Sequence, residues 1–328
     1  MSKVAIVILN YNGQRFLEKF LPSVIQNADA CEIIVADNAS TDNSVPFMTQ
    51  VYPEIRLIQL LHNSGFAGGY NEALKQIKAT YYILLNSDIE VTPNWIAPVI
   101  DLMDANPNMA ACQPKIRDYH KQSHFEYAGA AGGYIDWLGY PFCRGRIFDT
   151  CEPDTGQYDD AREVFWATGA CMFVRANVFH ALGGFDAQFF AHMEEIDLCW
   201  RMKNAGYEIY YSPASTVYHV GGGTLHKSNP RKTFLNYRNG LAMMYKNLPD
   251  NQLFSTIFMR LVLDGVSSIK FLLAGSFKDI WAILKAHFAF YAMIPRLERK
   301  SPKLLKDIYP KSIVLAYFLK KKKTFREL

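Results

Sequence analysis

No CxxC pair occurs anywhere in the 328 residues. The six cysteines (Cys31, Cys112, Cys143, Cys151, Cys171 and Cys199) stand singly, which argues against both a zinc site and a disulfide scaffold. Several lie inside apolar runs, as buried thiols in a reducing cytoplasm do. The opening MSKVAIVILNYN is too short an apolar run for a signal peptide and lacks a small-residue cleavage site, so a first β-strand is expected there. The most apolar long segment, residues 253–273, carries Arg260, Asp264 and Lys270. Each would be costly at a bilayer centre, so a transmembrane span is not expected. No G-x-G-x-x-G follows the first strand, which disfavours a dinucleotide-binding dehydrogenase. The turn Asn10-Tyr11-Asn12-Gly13 is followed by only one basic residue, Arg15, where a sugar nucleotidyltransferase needs a cationic grip on a triphosphate. Internal repeats are absent, and so are low-complexity segments before the C-terminal tail.

What is present is a large hydrophobic fraction, 50% of residues, enough to build one sizeable α/β domain with an extension, or two domains. The net charge of +4 hides an asymmetry. Residues 295–328 hold eleven Lys/Arg against three Asp/Glu, a net of +8, which leaves −4 on residues 1–294. A basic tail on a mildly acidic body points to an anionic partner, membrane or nucleic acid. The four-lysine run 320–323 follows the apolar stretch 313–319, a pattern closer to membrane anchoring than to nucleic-acid binding.

Strand and helix signals alternate over the first hundred residues. Apolar runs at 4–9, 32–36, 55–61 and 81–85 read as strands, and helical spacing appears at 16–24 and 66–77. Continuous apolar strands separated by helices predict a mostly parallel sheet covered on both faces. Residues 118–165, rich in Gly, Tyr, Asp and His, read as long loops or irregular strands, and loops of that length are usually functional. A strand-like run follows at 166–175, then a helix at 193–205 with Gly206 as its C-cap, then two short strands at 208–211 and 216–219. From about residue 229 the chain reads as helical. Residues 253–273 and 281–294 are amphipathic, suited either to a membrane surface or to packing on the body.

Several groupings carry chemistry. Asn86-Ser87-Asp88 directly follows the fourth apolar strand. A carboxylate at a strand's C-terminal end sits where open α/β sheets bind ligands. A hard cation held there by one or two carboxylates completes its shell with water and phosphate. The same triplet is also good turn chemistry. Asp37 ends the second strand, placed to accept hydrogen bonds from a ribose or base, or to cap the Asn38–Asp42 turn. The glycine-rich stretch 63–71 allows close backbone approach to a ligand at a helix N-terminus. Glu194, Glu195 and Asp197 crowd one helix start. Asp197 can pair with Arg201 four residues on. The adjacent Glu194 and Glu195 repel one another, which raises their pKa values and suits a general base. His219 closes a short strand before Gly221-Gly222-Gly223, and a neutral imidazole is a common metal ligand.

Seven segments stand in a recognisable order: VAIVILNYNG (4–13), IIVADNASTD (33–42), NSGFAGGYNEAL (63–74), YILLNSDIEV (82–91), ATGACMFVRANVF (167–179), GGFDAQFFAHMEEIDLCWRMKNAGY (183–207) and VYHVGGGT (217–224). Together they resemble the glycosyltransferase family 2 enzymes of GT-A fold, especially their bacterial rhamnosyltransferase-like branch. The resemblance implies an α/β, nucleotide-diphospho-sugar transferase fold over residues 1–228, with a mostly parallel central sheet flanked by helices. A helical, basic extension occupies 229–328.

The implied activity is inverting transfer of a sugar from a nucleoside diphosphate sugar, dTDP-rhamnose or a UDP-sugar, to an acceptor hydroxyl on a growing polysaccharide or lipid-linked glycan. Mg²⁺ or Mn²⁺ is the implied cofactor, held by Asp88 and His219. The donor side comprises Asn10, Asn12, Asp37, Asn38, Asn63, Gly68, Asn86, Ser87 and Asp88. Glu195 is the candidate base, with Glu194 and Asp197 next in line. Trp166 and Gly169 are placed on the acceptor side by position alone. The expected setting is the cytoplasm or the inner face of the cytoplasmic membrane, with an anionic membrane rather than nucleic acid as the surface partner. The competing readings are a sugar nucleotidyltransferase and a non-catalytic nucleotide-sugar-binding partner.

Overall fold

A computed structural model describes residues 2–221, 229–300 and 302–328. Gly222, Gly223 and Thr224, and the expected boundary at residue 228, lie outside them. In chain order the first half runs β1 (Ser2–Asn10), α1 (Gln14–Gln26), β2 (Glu32–Asp37), α2 (Ser44–Val51), β3 (Arg56–Gln59), α3 (Gly65–Leu74), β4 (Ala79–Asn86), β5 (Ile89–Val91), α4 (Ala97–Ala105) and β6 (Met109–Asp118). There follow β7 (Gly133–Ile135), β8 (Pro141–Cys143), β9 (Arg146–Ile147), β10 (Thr150–Cys151), β11 (Arg162–Val164), β12 (Cys171–Arg175), α5 (Ala176–Ala181), α6 (Glu194–Asn204) and β13 (Glu208–His219). The helices α7 (Pro230–Asn247), α8 (Asp250–Leu273), α9 (Phe277–Met293) and α10 (Ile313–Phe318) complete the chain.

The main sheet has nine strands in the order β11-β13-β6-β12-β4-β1-β2-β3, with β5 pairing the end of β13. Strands β3, β2, β1 and β4 are parallel, and β6 and β13 run the same way. Strand β12 lies antiparallel between β4 and β6. The sheet is thus mostly parallel, as expected. Alternation along β1 sends Ala5 and Val7 to one face and Val4, Ile6 and Ile8 to the other, so each face closes its own core. The chain reverses its winding sense between β1 and β4, and ligands bind at the C-terminal ends of strands beside such a switch point. Asn10, Asp37 and Asn86 all fall there.

Two sequence expectations change. The two short strands at 208–211 and 216–219 are one strand, β13, whose register against β6 shifts between Ser212 and Thr216. Pro213 lies in that interval and has no N–H for the ladder, so a bulge absorbs it. Residues 118–165 are not wholly irregular: β7 to β10 form a four-stranded antiparallel sheet. Strands of two or three residues are too short to show alternation in sequence.

The C-terminal helices belong to the body. Leu241, Met243 and Met244 of α7, and Phe290 and Met293 of α9, join the same core as the central sheet. Helix α8 is pinned by a buried polar group. Arg260 Nε donates to Asp264 Oδ1 at 3.0 Å, its Nη1 donates to Leu138 O at 3.1 Å, and its guanidinium lies 3.7 Å from the Tyr140 ring centre. His287 of α9 meets Asp264 Oδ2 at 3.1 Å. The last residues return to the small sheet. Ile313 and Ala316 pack with Phe142 and Ile147, Asp136 Oδ2 accepts from Ile313 N, and Glu152 Oε1 accepts from Phe325 N. Among the described residues, no helix is long and apolar enough to cross a membrane.

Removing one partner of a buried ion pair leaves an uncompensated charge, whereas removing both need not. Arg260→Leu is therefore expected to cost about 3 kcal/mol in urea unfolding. Arg260→Leu with Asp264→Leu should cost clearly less. Equal losses would show that the pair does not anchor α8.

Candidate functional site

The floor of the site is a set of amide and carboxylate side chains that tie strand ends together. Asn10 Nδ2 donates to Asp37 Oδ2 at 3.0 Å and to Ser40 Oγ at 3.2 Å, and Ser40 N donates to Asp37 Oδ1 at 2.9 Å. Asn12 Oδ1 accepts from Thr41 N at 2.7 Å and Asp42 N at 3.2 Å. Asn38 is spent on the next loop: its Nδ2 donates to Gly65 O at 2.9 Å and Asn63 Oδ1 at 3.1 Å, and its Oδ1 accepts from Ser64 N. These bonds hold the loops after β1, β2 and β3 in one fixed arrangement at the switch point. Gly68 lies under Ser64, where a Cβ would come within 2.6 Å of the Ser64 Cβ. Any larger residue would displace the Ser64 side chain at the start of α3.

Next to this floor, Asp88 and His219 meet. The antiparallel pairing of β5 with β13 sets His219 opposite Ile89, and Val220 N donates to Asp88 O at 3.1 Å. Asp88 Oδ1 is 3.2 Å from His219 Nε2, and His219 Nδ1 is 3.1 Å from Glu126 Oε2. All three are buried. Burial alone would lower the His219 pKa, but the carboxylates on either side hold it well above the ordinary imidazole range. Burial would likewise raise Asp88, yet the imidazolium and backbone amides bring it below the usual carboxylate range.

This pair fits a divalent cation. A hard cation takes one or two protein ligands and fills its shell from phosphate and water. A carboxylate behind the far imidazole nitrogen, as Glu126 is, orients such a ligand. No cluster of three or more His, Cys, Asp or Glu ligands occurs among the described residues, so a closed structural site is not what these residues make.

The acidic end of α6 is built differently. Met193, its N-cap, has φ 73°, and Phe190 and His192 also have positive φ, at 66° and 70°. Such residues cost about 1–3 kcal/mol each and persist only where surroundings hold them. Here the surroundings are explicit. Asn239 Nδ2 of α7 donates to Phe189 O, Ala191 O and His192 O at 2.9, 2.9 and 2.7 Å. Phe190 O accepts from Phe66 N at 2.6 Å at the start of α3.

The loop presents Glu194 and Glu195, each with an enclosed Oε2 that has no hydrogen-bond partner among the described residues. Burial pushes Glu195 up to about 7, against the pull of the α6 amides. Burial and then the neighbouring Glu195 charge push Glu194 well above the ordinary carboxylate range. Gly169 lies beside Glu195: a Cβ there would sit 3.1 Å from Phe66 Cζ and 3.8 Å from the Glu195 Cβ. Asn86 N donates to Ala170 O at 2.9 Å, so the Gly169 loop is fastened to the end of β4, two residues before Asp88.

Two candidates are corrected. Asp197 is not a base. It is fully buried and accepts from Arg201 Nε at 2.8 Å, Lys246 Nζ at 2.9 Å and Asn247 Nδ2 at 2.9 Å. Burial raises its pKa, but the two cations win and hold it below the usual range. Trp166 does not present its ring to an acceptor. It is buried against Gly133, and its indole N–H is spent on Tyr134 O at 3.0 Å.

The residues missed were Glu126, Asn239, Lys246 and Asn247. Glu126 had no signal, since it lies in the stretch of short strands. The other three share one face of α7 at i, i+7 and i+8, and polar residues on an apolar helix face would have marked them.

A parallel 3-2-1-4 half-sheet, a carboxylate and histidine at the strand ends, and a raised carboxylate pair opposite define a nucleotide-sugar-dependent glycosyltransferase of GT-A fold. Solved structures share that fold. S. aureus TarS residues 1–349 in complex with UDP-GlcNAc matches with a TM-score of 0.58 at 13% identity, covering 89% of this chain and 82% of that one. GalNAc-T7 with UDP, GalNAc and Mn²⁺ matches with a TM-score of 0.57 at 15% identity, over 76% of this chain. This match spans about half of the GalNAc-T7 chain, 49%.

The Glycosyl transferase family 2 model matches residues 5–182, and the chain belongs to that family. Among its relatives, the N-acetylglucosaminyl-diphospho-decaprenol L-rhamnosyltransferase of Mycobacterium tuberculosis is 28% identical over 230 residues, covering 65% of this chain and 75% of the relative. The rhamnosyltransferase WbbL of Escherichia coli is 27% identical over 222 residues, covering 66% and 83%.

Asn239 touches neither carboxylate, so its removal should loosen the loop without altering the donor floor. Asn239→Leu is expected to lower kcat by on the order of 10- to 100-fold. The KM for donor should stay near that of the native protein. A rise in KM with kcat preserved would show that Asn239 does not position the base.

Proposed function

We propose that the protein transfers a hexosyl group, with inversion, from dTDP-rhamnose or a UDP-sugar to a hydroxyl of a growing or lipid-linked glycan, at the cytoplasmic face of the membrane. The observation that carries this reading is the raised carboxylate pair Glu194 and Glu195, each with one buried oxygen that has no hydrogen-bond partner among the described residues, beside the Gly169 loop that is fastened to β4. The donor class is supported by two relatives named as rhamnosyltransferases, one of which has a diphospho-decaprenol acceptor in its name.

Asp37 and Asn10 form the buried end of the nucleotide side, and Asp88 with His219 would hold Mg²⁺ or Mn²⁺. Bound there, such an ion offsets charge on the departing diphosphate. Glu195 takes the proton of the acceptor hydroxyl. The freed oxygen pair forms the new bond to the anomeric carbon, while the bond to the diphosphate oxygen breaks and its electrons leave with the nucleotide. Direct displacement needs no enzyme nucleophile, and the thiols offer none: burial pushes Cys199 up to about 12 and Cys31 up to about 11.

A base must be unprotonated to work. Because Glu195 is raised to about 7, kcat should climb as pH rises through 7 and level off above it. Glu195→Gln should lower kcat on the order of 10²–10⁴-fold with donor affinity retained. Full kcat in that variant would move the base to Glu194. Asp88→Asn should abolish the Mn²⁺-dependent part of donor binding in calorimetry; unchanged Mn²⁺ dependence would remove Asp88 from the metal site.

A further inference from the structure

We propose that the outward faces of α8 and α9, continued by the exposed edge of α10, form a docking surface for an anionic lipid bilayer. The proposal deepens the reading of a lipid-linked acceptor by assigning the residues that would bring the enzyme to it.

Each helix carries an apolar stripe that the body does not cover. On α8 it consists of Phe254, Phe258, Val262, Val266, Ile269 and Leu273, and on α9 of Phe277, Trp281, Leu284, Phe288 and Tyr291, all exposed. The spacing of three and four residues puts each set on one helix face. The exposures are large: 84% for Phe254, 58% for Trp281 and 76% for Phe288. The two helices pack side by side, and Lys270 Nζ of α8 lies 5.0 Å from the Phe318 ring centre, which brings α10 alongside. The opposite faces are committed to the protein, by Arg260 and Asp264 on α8 and by Ala282, Ile283, Ala286 and Phe290 on α9. Two fixed, adjacent amphipathic helices with their apolar sides outward have the build of an interfacial element.

Charge selects the occupant. Among the Asp, Glu, Lys and Arg of α8 and α9, the exposed ones are Asp250, Lys270, Lys278 and Lys285, whereas Asp264, Asp279 and Arg260 are buried. Asp250 is the first residue of α8 and pairs with Arg299. Lysines interleaved with aromatics, with no acid beside them on the stripe, match an anionic lipid surface. A second copy would bring lysine against lysine, and protein interfaces are depleted in that residue. The four-lysine run is not a free tail. Lys322 N donates to Ala316 O at 3.0 Å, and Phe325 is held just beyond it against Tyr134 and Phe142, so Lys320–Lys323 stand fixed beside α10.

The test is co-sedimentation of the full chain with phosphatidylcholine vesicles, with and without phosphatidylglycerol. The native protein should sediment with the anionic vesicles, less so as salt rises, and Trp281 emission should shift to the blue. Trp281→Glu with Phe288→Glu, both at exposed positions, should reduce vesicle binding about ten-fold or more while transfer to a water-soluble acceptor stays unchanged. Equal binding by both forms overturns the proposal. It is also overturned by a native dimer in light scattering that the same double substitution splits while neither form binds vesicles. Retained transfer with lost vesicle binding separates this surface from the catalytic reading, which Glu195→Gln tests.

Discussion

Asp88 and His219 are 131 residues apart in sequence and 3.2 Å apart in space, and the rest of the site takes its position from that contact. It exists because β5, three residues long, turns back after β4 and pairs with the end of β13. The same end of β13 pairs with β6, which sets His219 opposite Asp118. The loop after β6 then returns Glu126 to the other imidazole nitrogen. Three buried ionisable groups in a row would be prohibitive if unpaired. In this order the imidazole stands between two carboxylates, each of which favours a positive charge on the ring. The positive charge at this point can be a proton on His219 or a divalent cation at the pair, so the structure keeps a compensated place for the charge that nucleotide phosphates require.

Across the site the electrostatics are reversed. Glu194 and Glu195 have no cation and each has an oxygen without a partner. Two residues further along, Asp197 has two cations and an amide. Burial is shared by all three, so the difference in their pKa directions comes from partners supplied by Arg201 and by α7. Helix α7 also supplies Asn239, which holds the positive-φ loop where α6 begins. The C-terminal helices therefore shape this end of the site. They stabilise one carboxylate as an anchor and supply no cation to the other two, each of which keeps one oxygen without a partner among the described residues. That is the division of roles that pushes the pKa values of neighbouring acids apart.

Much of this was legible in the sequence where local pattern determines structure. The parallel strands ending at Asn10, Asp37 and Asn86 announce themselves as apolar runs closed by polar triplets. The helix bearing Glu194 and Glu195 announces itself by its acids and by Gly206, whose φ of 96° is the left-handed cap expected of it. Legibility failed where long-range pairing decides. Glu126 is defined only by the return of a loop to β13. Trp166 falls near Gly169 in sequence but packs against Gly133, 33 residues earlier, where no local cue points. The pairing of Asp197 with Arg201 follows from their spacing, but Lys246 and Asn247 reach Asp197 from α7, which no local pattern around Asp197 shows. Helices α2 and α4 and strand β6 gave no reading, because their polar and apolar residues follow no clear single period.

The remaining step concerns how α8 can be apolar on its outer face and still be fixed. An amphipathic helix with nothing beneath it would roll, or bury its exposed stripe by collapse. Arg260, Asp264, Tyr140 and His287 prevent that, since turning the helix would expose or orphan two buried charges. The same Arg260 lies against α7, where a Cβ on Gly240 would come 3.2 Å from its Nη2. Gly240 directly follows Asn239, the residue that clamps the base loop. One turn of α7 thus touches both the anchor of the outward helix and the carbonyls behind Glu194 and Glu195. The orientation of the apolar face and the geometry of the base are set by the same few residues. If the acceptor is lipid-borne, as proposed, that coupling matters, because the surface proposed to dock and the carboxylate proposed to take the proton would then keep one relative position.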